Sequence, residues 1–237
     1  MQLFYSPDID KKTIHFSFSK EESRHIIRVL RKKEGDILHI TNGKGYLFRA
    51  EINHANEKKC MVNILKVEKH QKTWNYYLHI AIAPTKMNDR FEWFLEKATE
   101  IGIDEITPII CDNSERKILK TDRMQKVLVS AMKQSLKYNL PKLNEPVKFP
   151  NILTTNSSVV KFIAHCDDPD QKNTLKKLLD PDQDILVLIG PEGDFSPKEI
   201  TNALQHKFIP LSLGASRLRT ETAGIAVCNT ISVINEK

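Results

Sequence analysis

The stretch DILVLIGPEGDFSPKEI, residues 184–200, decides the fold. Its opening, DILVLIG (184–190), is a continuous apolar run, as expected of a central parallel strand buried on both faces. Its end marks a helix start. Ser196 stands at the N-cap, Pro197 at the first helical position, and Glu199 closes a capping box three residues after the cap. Between strand and cap lie Gly190, Pro191, Glu192 and Gly193. Two glycines let a backbone approach a ligand closely, and free amides ahead of a helix bind polar or anionic groups. The carboxyl end of a central strand is also where α/β proteins place ligands. The loop matches neither GxGxxG nor the phosphate loop of NTPases, so a dinucleotide site or an NTPase is poorly supported.

Downstream, the strand IPLSL (209–213) ends at Gly214, and the run to Thr220 leads into a final helix with Thr220 as its cap. That helix is apolar nearly all round (Ala223, Ile225, Ala226, Val227, Cys228, Ile231, Val233, Ile234), which predicts burial on every side, in a core or a subunit interface. Arg217 and Arg219 precede it and Glu221 lies in its first turn. Charges beside so apolar a helix need partners, either one another or a ligand.

Upstream, strands alternate with helices, which predicts parallel strands in an α/β domain. YLHIAIA (77–83), EITPII (105–110) and VVKFIAHC (159–166) read as strands. A helix opens at Asp89 as N-cap and stops at Gly102; others span 122–138 and, more briefly, 171–179. Before residue 72 the grammar changes. Ser19 and Glu22 have capping-box spacing, and the helix they open runs to about Lys32. It places Arg24, Arg28, Arg31 and Lys32 on one face. DILHIT (36–41) and YLFRAEI (46–52) flank the turn Asn42-Gly43-Lys44-Gly45, and CMVNILKVE (60–68) follows; such short strands predict a small barrel. The boundary falls at a polar linker, giving domains 1–72 and 73–237.

Charge follows the same division. The chain of 237 residues carries a net +6, and residues 1–72, with 15 basic and 9 acidic side chains, hold the whole excess. A basic small domain beside a neutral larger one points to a polyanionic partner for the first. The four cysteines are dispersed without a CxxC pair, which argues against zinc and disulfides and predicts four buried thiols. No bound metal is expected. No apolar run is long enough for a membrane span, and the start has no signal-peptide pattern, so the expected location is cytoplasmic. His165 and Cys166, as strand neighbours, point to opposite faces and are not read as a catalytic pair.

IGPEGDFS (189–196) followed by LGASRLRTETA (213–223) resembles the 16S ribosomal RNA uridine-N3 methyltransferases of the SPOUT superfamily. HIIRVLR (25–31), KMNDRFEWFLEKATEIG (86–102), SER (114–116) and KQS (133–135) match in the same order, so the resemblance covers essentially the whole chain. It implies a PUA-like RNA-binding barrel, then an α/β domain with a deep trefoil knot at about 185–237, in a homodimer. It implies S-adenosyl-L-methionine as cofactor, held by Leu188, Gly190, Pro191, Glu192 and Gly193, and by Leu211, Leu213, Gly214, Leu218 and Arg219. Arg219 becomes the candidate catalytic cation and Glu221 a base or the orienter of that arginine. Arg24, Arg28, Arg31, Lys32, Lys86, Arg90 and Arg116 become RNA-binding candidates. The expected substrate is 16S ribosomal RNA of the small subunit. A related enzyme acting on ribose 2′-oxygen or transfer RNA, and a non-catalytic RNA-binding dimer, remain the alternatives. The family usually has Gly where this chain has Asp194, a difference that matters if the position needs positive φ.

Overall fold

A computed structural model describes residues 1–154, 159–166 and 173–236. The chain forms two compact units, Met1–Thr73 with Met132–Leu140, and Trp74–Ala131 with Pro141–Lys237. A boundary at 72/73 assigns 132–140 to the second domain, whereas the structure gives Met132–Leu140 to the first unit.

In the first unit the strands are β1 (Leu3–Tyr5), β2 (His15–Ser17), β3 (Ile37–Thr41), β4 (Tyr46–His54) and β5 (Met61–Lys69), with helix α1 (Lys20–Arg24) between β2 and β3. They form one sheet in the order β1-β3-β4-β5-β2, with β1 parallel to β3 and the other pairs antiparallel. This is an open hydrogen-bonded path; β1 and β2 are not paired with each other among the described residues. Phe4, Phe18, Ile26, Ile40, Phe48 and Ile52 build its core. Gly43 and Gly45 take φ of 73° and 83° in the turn that joins β3 to β4, which is why glycine stands there.

The helix after Ser19 departs from expectation. Ser19 does cap it, accepting from the Glu22 amide at 3.2 Å. Glu22, however, pairs with Lys133 at 3.3 Å instead of closing the box. After α1 the chain enters a π-helical turn, His25–Val29, and Arg31 has φ of 55°. The wider turn and the left-handed residue break the 3.6-residue repeat, so Arg24, Arg28, Arg31 and Lys32 do not form the predicted helical face. Arg28 instead pairs with Glu57.

The second unit holds β6 (Leu78–Ile82), α2 (Asn88–Ile101), β7 (Glu105–Ile110), α3 (Thr121–Gln134, whose last three residues belong to the first unit), β8 (Lys142–Leu143), β9 (Val147–Lys148), α4 (Phe149–Leu153), β10 (Val160–Ala164), β11 (Asn173–Thr174), α5 (Leu175–Leu178), β12 (Ile185–Ile189), α6 (Pro197–Gln205), β13 (Ile209–Ser212) and α7 (Thr220–Ile234). The sheet runs β11-β13-β10-β12-β6-β7-β8 with β9 beside β7, and every pairing is parallel. β6 and β12, at its centre, are buried at all their residues. The helix expected over 171–179 is only α5, and 171–172 lie outside the described residues. Helix α2 starts after Met87 with no side-chain cap, so Asp89 is inside the helix and not its N-cap.

Helix α7 packs on α2 through Gly224. A Cβ there would sit 2.6 Å from Phe94 Cε2 and 3.2 Å from Ile82 Cδ1. Glycine lets the two helices approach this closely. Within one chain that burial is incomplete: Val233 is 55% exposed and Ile225 and Ala226 are half-buried. The cysteine expectation also needs correction. Cys60, Cys111 and Cys228 are buried, but Cys166 is exposed. Burial pushes the Cys228 thiol up to about 12 and Cys60 to about 11.

At the N-terminal edge of the sheet, Glu105 joins three neighbours. Burial opposes its ionisation, but hydrogen bonds from Asn144 Nδ2 at 2.5 Å, from the Tyr77 hydroxyl and from Lys142 Nζ at 3.0 Å outweigh it and hold its pKa down to about 2.

Two outcomes follow from this packing. Gly224→Ala should lower stability by about 1–3 kcal/mol, because overpacking against Phe94 exceeds the roughly 1 kcal/mol gained in helix propensity; urea unfolding measures it. An unfolded glutamate titrates near about 4.3, above the folded value. The stability Glu105 contributes is therefore complete above pH ~5 and drains away as pH falls toward 2. Glu105→Gln should flatten that limb of the pH–stability curve.

Candidate active site

Parallel strands β6, β7, β10, β12 and β13 deliver their following loops to one end of the second unit's sheet. The loop after β12 enters α6 through the predicted capping box. The Glu199 amide donates to Ser196 Oγ at 3.3 Å, and the Ser196 amide to Glu199 Oε2 at 2.9 Å. The other Glu199 oxygen accepts from the Asp112 amide at 3.0 Å, and the Ser196 hydroxyl donates to Asp112 Oδ2 at 2.7 Å. Asn113 Nδ2 donates to the carbonyls of Gly193 and Asp194, both at 3.1 Å. The loop after β7 is thereby bound to the loop after β12. Gly190 is needed at its place, since a Cβ would lie 3.1 Å from the Phe195 ring.

Asp194 has φ of 63°, the left-handed region that its replacement of glycine put in question. Its side chain stabilises what its Cβ disfavours. Asp194 Oδ2 accepts from the Cys166 amide at 2.7 Å and Oδ1 from the Phe195 amide at 2.8 Å. Aspartate is among the residues whose short polar chain makes this conformation tolerable. His165 and Cys166 thus lie just past the end of β10, with the Cys166 backbone serving the neighbouring loop.

The loop after β13 meets this assembly at Thr220. The sequence reading makes Thr220 the helix cap; in the structure Arg219 holds that position and its side chain caps nothing. The Thr220 hydroxyl, buried, donates to the Gly190 carbonyl at 3.0 Å. Gly214 has φ of 119° with open space around the Cβ position, so glycine there serves the backbone and not packing. Leu188 and Leu211 are buried in β12 and β13, and Leu213 and Leu218 are half-buried in the loop.

The predicted cations divide into two groups. Arg116 donates Nε to the carbonyls of Thr85 and Lys86 at 3.1 Å and Nη2 to Lys86 at 2.6 Å, so it braces the loop after β6. Lys86 pairs with Glu115 at 2.8 Å, and its amide donates to Glu192 Oε1 at 2.9 Å. Arg217 and Arg219 are exposed. They line an open pocket of about 730 Å³ together with Asp89, Arg90, Trp93 and Glu221. Glu221 is 6% exposed, and its ion-pair partner is Arg90, Nε to Oε1 at 3.9 Å. The orienting role toward Arg219 is thus not what the geometry places; the Arg219 guanidinium has no hydrogen-bond or ion-pair partner among the described residues. Trp93, Asp112 and Asn113 carry no role in the sequence analysis, and Thr220 carries only that of a helix cap.

Glu192 Oε2 and Glu221 Oε2 are buried without a partner among the described residues. Unpaired buried carboxylate oxygens suit a cationic ligand. With Gly193 and Gly214 exposed, the two loops fit S-adenosyl-L-methionine, which carries an ammonium and a sulfonium. Among the described residues no group of three His, Cys, Asp or Glu is placed to hold a metal ion, and no helix is long and apolar enough to cross a membrane.

The fold and these loops define an RNA methyltransferase class: an RNA methyltransferase domain model matches residues 72–232, and an RNA methyltransferase PUA domain model matches 18–65. The Buchnera aphidicola ribosomal RNA small subunit methyltransferase E is 30% identical over 98% of this chain and 93% of its own. A Porphyromonas gingivalis structure, described as a probable rRNA-methyltransferase, aligns with TM-score 0.93 and 42% identity over 99% of this chain and 98% of that one. The Neisseria gonorrhoeae ribosomal RNA small subunit methyltransferase E, solved bound to S-adenosyl methionine, aligns with TM-score 0.83 and 25% identity over 99% and 98%. The chain belongs to the ribosomal RNA small subunit methyltransferase E family.

Asp194→Ala should cost about 1–3 kcal/mol, since alanine keeps the left-handed penalty and loses the hydrogen bonds. Asp194→Gly should cost less, because only the hydrogen bonds go. Chemical denaturation of both variants gives the order; equal losses would mean that φ at 194 carries no strain.

Proposed function

We propose that this chain transfers the methyl group of S-adenosyl-L-methionine to N3 of one uridine in 16S ribosomal RNA of the small subunit, as a cytoplasmic homodimer with a trefoil-knotted second domain. The observation that carries the reading is the meeting of an unpartnered guanidinium, Arg219, and a buried carboxylate with an unpaired oxygen, Glu221, in one pocket beside the loop after β12.

The bound cofactor supplies an electrophilic methyl group. Gly190, Pro191, Glu192 and Gly193 in one loop, and Leu213, Gly214, Leu218 and the Arg219 backbone in the other, over Leu188 and Leu211, are the residues to hold it. N3 of uracil carries a proton at neutral pH, and negative charge spreads onto O2 and O4 as that proton leaves. Arg219 stabilises the developing imide anion, an effect whose removal typically costs 10²–10³-fold in rate. Glu221 accepts the N3 proton on its unpaired oxygen, and Arg90 holds the carboxylate in place. The first domain supplies phosphate affinity, which falls with salt, through Arg24, Arg31 and Lys32, and through Arg28 only where RNA displaces Glu57. Lys86 and Arg116 shape the loop beneath the pocket, and any contact of theirs with RNA is shared with that bracing.

Support for the dimer is the exposed apolar residue Val233 on α7, with Ile225 and Ala226 half-buried beside it. The knot is carried by the family resemblance of residues 189–196 and 213–223.

Undermodified small subunits incubated with labelled cofactor should gain 3-methyluridine at one site, read by nucleoside mass spectrometry. Methyl on ribose or on transfer RNA would replace this reading with the related-enzyme alternative. Arg219→Ala should lose at least about a hundredfold in turnover while calorimetry shows cofactor binding largely retained. Near-normal turnover in that variant would remove Arg219 from the mechanism.

A further inference from the structure

The chain has two tryptophans, and the second unit uses only one of them for its fold. Trp74 packs over Gly102, where a Cβ would lie 3.1 Å from its ring, and its indole N–H donates to Asp104 Oδ2 at 3.1 Å. Trp93 is 43% exposed and lines the pocket that contains Glu221 and Arg219. Helix α2 directs Phe91, Phe94, Leu95 and Ala98 into the core, and Trp93 lies off that face. Arg90 precedes it by three residues and shares its side of the helix. Across the pocket stand Arg217 and Arg219. An indole surface bounded by guanidinium groups matches a nucleotide, with a flat base and an anionic phosphate on either side. Aromatic stacking holds unpaired bases without regard to sequence, and arginine holds the backbone.

We propose that this pocket seats the target base extruded from the RNA, and that Trp93 is the surface on which it stacks. The inference rests on the uridine-N3 reading above. Extrusion exposes both faces of the base, and stacking on Trp93 offsets part of the unstacking cost. It also turns one edge of the ring toward the first turn of α7, where Glu221 and Arg219 stand. Arg217, exposed and with a single 3.5 Å hydrogen bond, to the Glu192 carbonyl, among the described residues, is placed to take a flanking phosphate. Trp93 on this view is a substrate-binding residue that takes no part in proton or methyl transfer.

The test compares the full-length wild type with Trp93→Ala and Trp93→Phe in methyl transfer to undermodified small subunits. Cofactor affinity and sedimentation are measured alongside. Trp93→Ala should lower kcat/KM for RNA by about 10–100-fold, with cofactor affinity and association state unchanged, and Trp93→Phe should recover most of the loss. In the wild type, emission from Trp93 should be quenched by a uridine-containing fragment of the substrate and much less by the same fragment abasic at the target. Unchanged kcat/KM in Trp93→Ala would overturn the proposal. So would a loss that follows a shift in association state, which would make Trp93 part of a contact with a second copy. A wild type that methylates ribose, or no RNA, would defeat the uridine reading itself and the stacking role with it. That outcome is distinct, because the unaltered protein then fails.

Discussion

The hydrogen bond from the Thr220 hydroxyl to the Gly190 carbonyl fixes the relation between the two loops that the site is made of. Such a bond contributes only about 1 kcal/mol net, but both groups are buried, and either one left alone would cost more. From Gly190 the constraint runs one way through the Phe195 ring to the capped start of α6, and the other way through α7 to Gly224 and Phe94. Glu221, one residue after Thr220, inherits its position from this bond. So does Arg219, one residue before it. The two groups proposed for the chemistry are placed by a hydroxyl that has no part in the proposed reaction.

The elements legible in the sequence were those whose causes are local or nearly so. DILVLIG declares a strand buried on both faces because no residue after Asp184 could face water. Ser196 and Glu199 declare a helix start because the box closes within four residues. The illegible features depend on residues far along the chain. Glu22 turns away from its own helix start to Lys133, and the partner of Glu221 proves to be Arg90. The insertion that makes a π-helical turn at His25–Val29 leaves no mark on an i, i+4 pattern, so the basic face was drawn on a helix that does not continue. Asp194 is intermediate. Its departure from the usual glycine raised the question of positive φ, and only the structure shows the Cys166 amide that answers it.

Positive charge in the second unit is divided between support and exposure. Arg116 directs Nε and Nη2 of its rigid guanidinium at main-chain carbonyls, a use that needs no counter-ion. Lys86 is neutralised by Glu115, and Arg123 by Glu92. Arg217 and Arg219 are exposed, next to an acid that water barely reaches. A motif read as a list of basic residues cannot separate these uses, because the distinction lies in which carbonyl or carboxylate each cation meets.

The centre of the large sheet joins Leu78–Ile82 to Ile185–Ile189, strands about a hundred residues apart. On a ribosome, β6 emerges long before the strand that covers its flank exists. β7 can line one side of it early, but the other edge stays open until β12 is made, and α7, which seals the same face, is the last helix to appear. Parallel pairing over such separation is slow, since loop closure precedes any reward in contacts. The newborn chain therefore carries an uncovered apolar strand edge through much of its synthesis. An RNA methyltransferase of this family thus exposes an apolar strand edge, open to mispairing, until Ile185–Ile189 emerge.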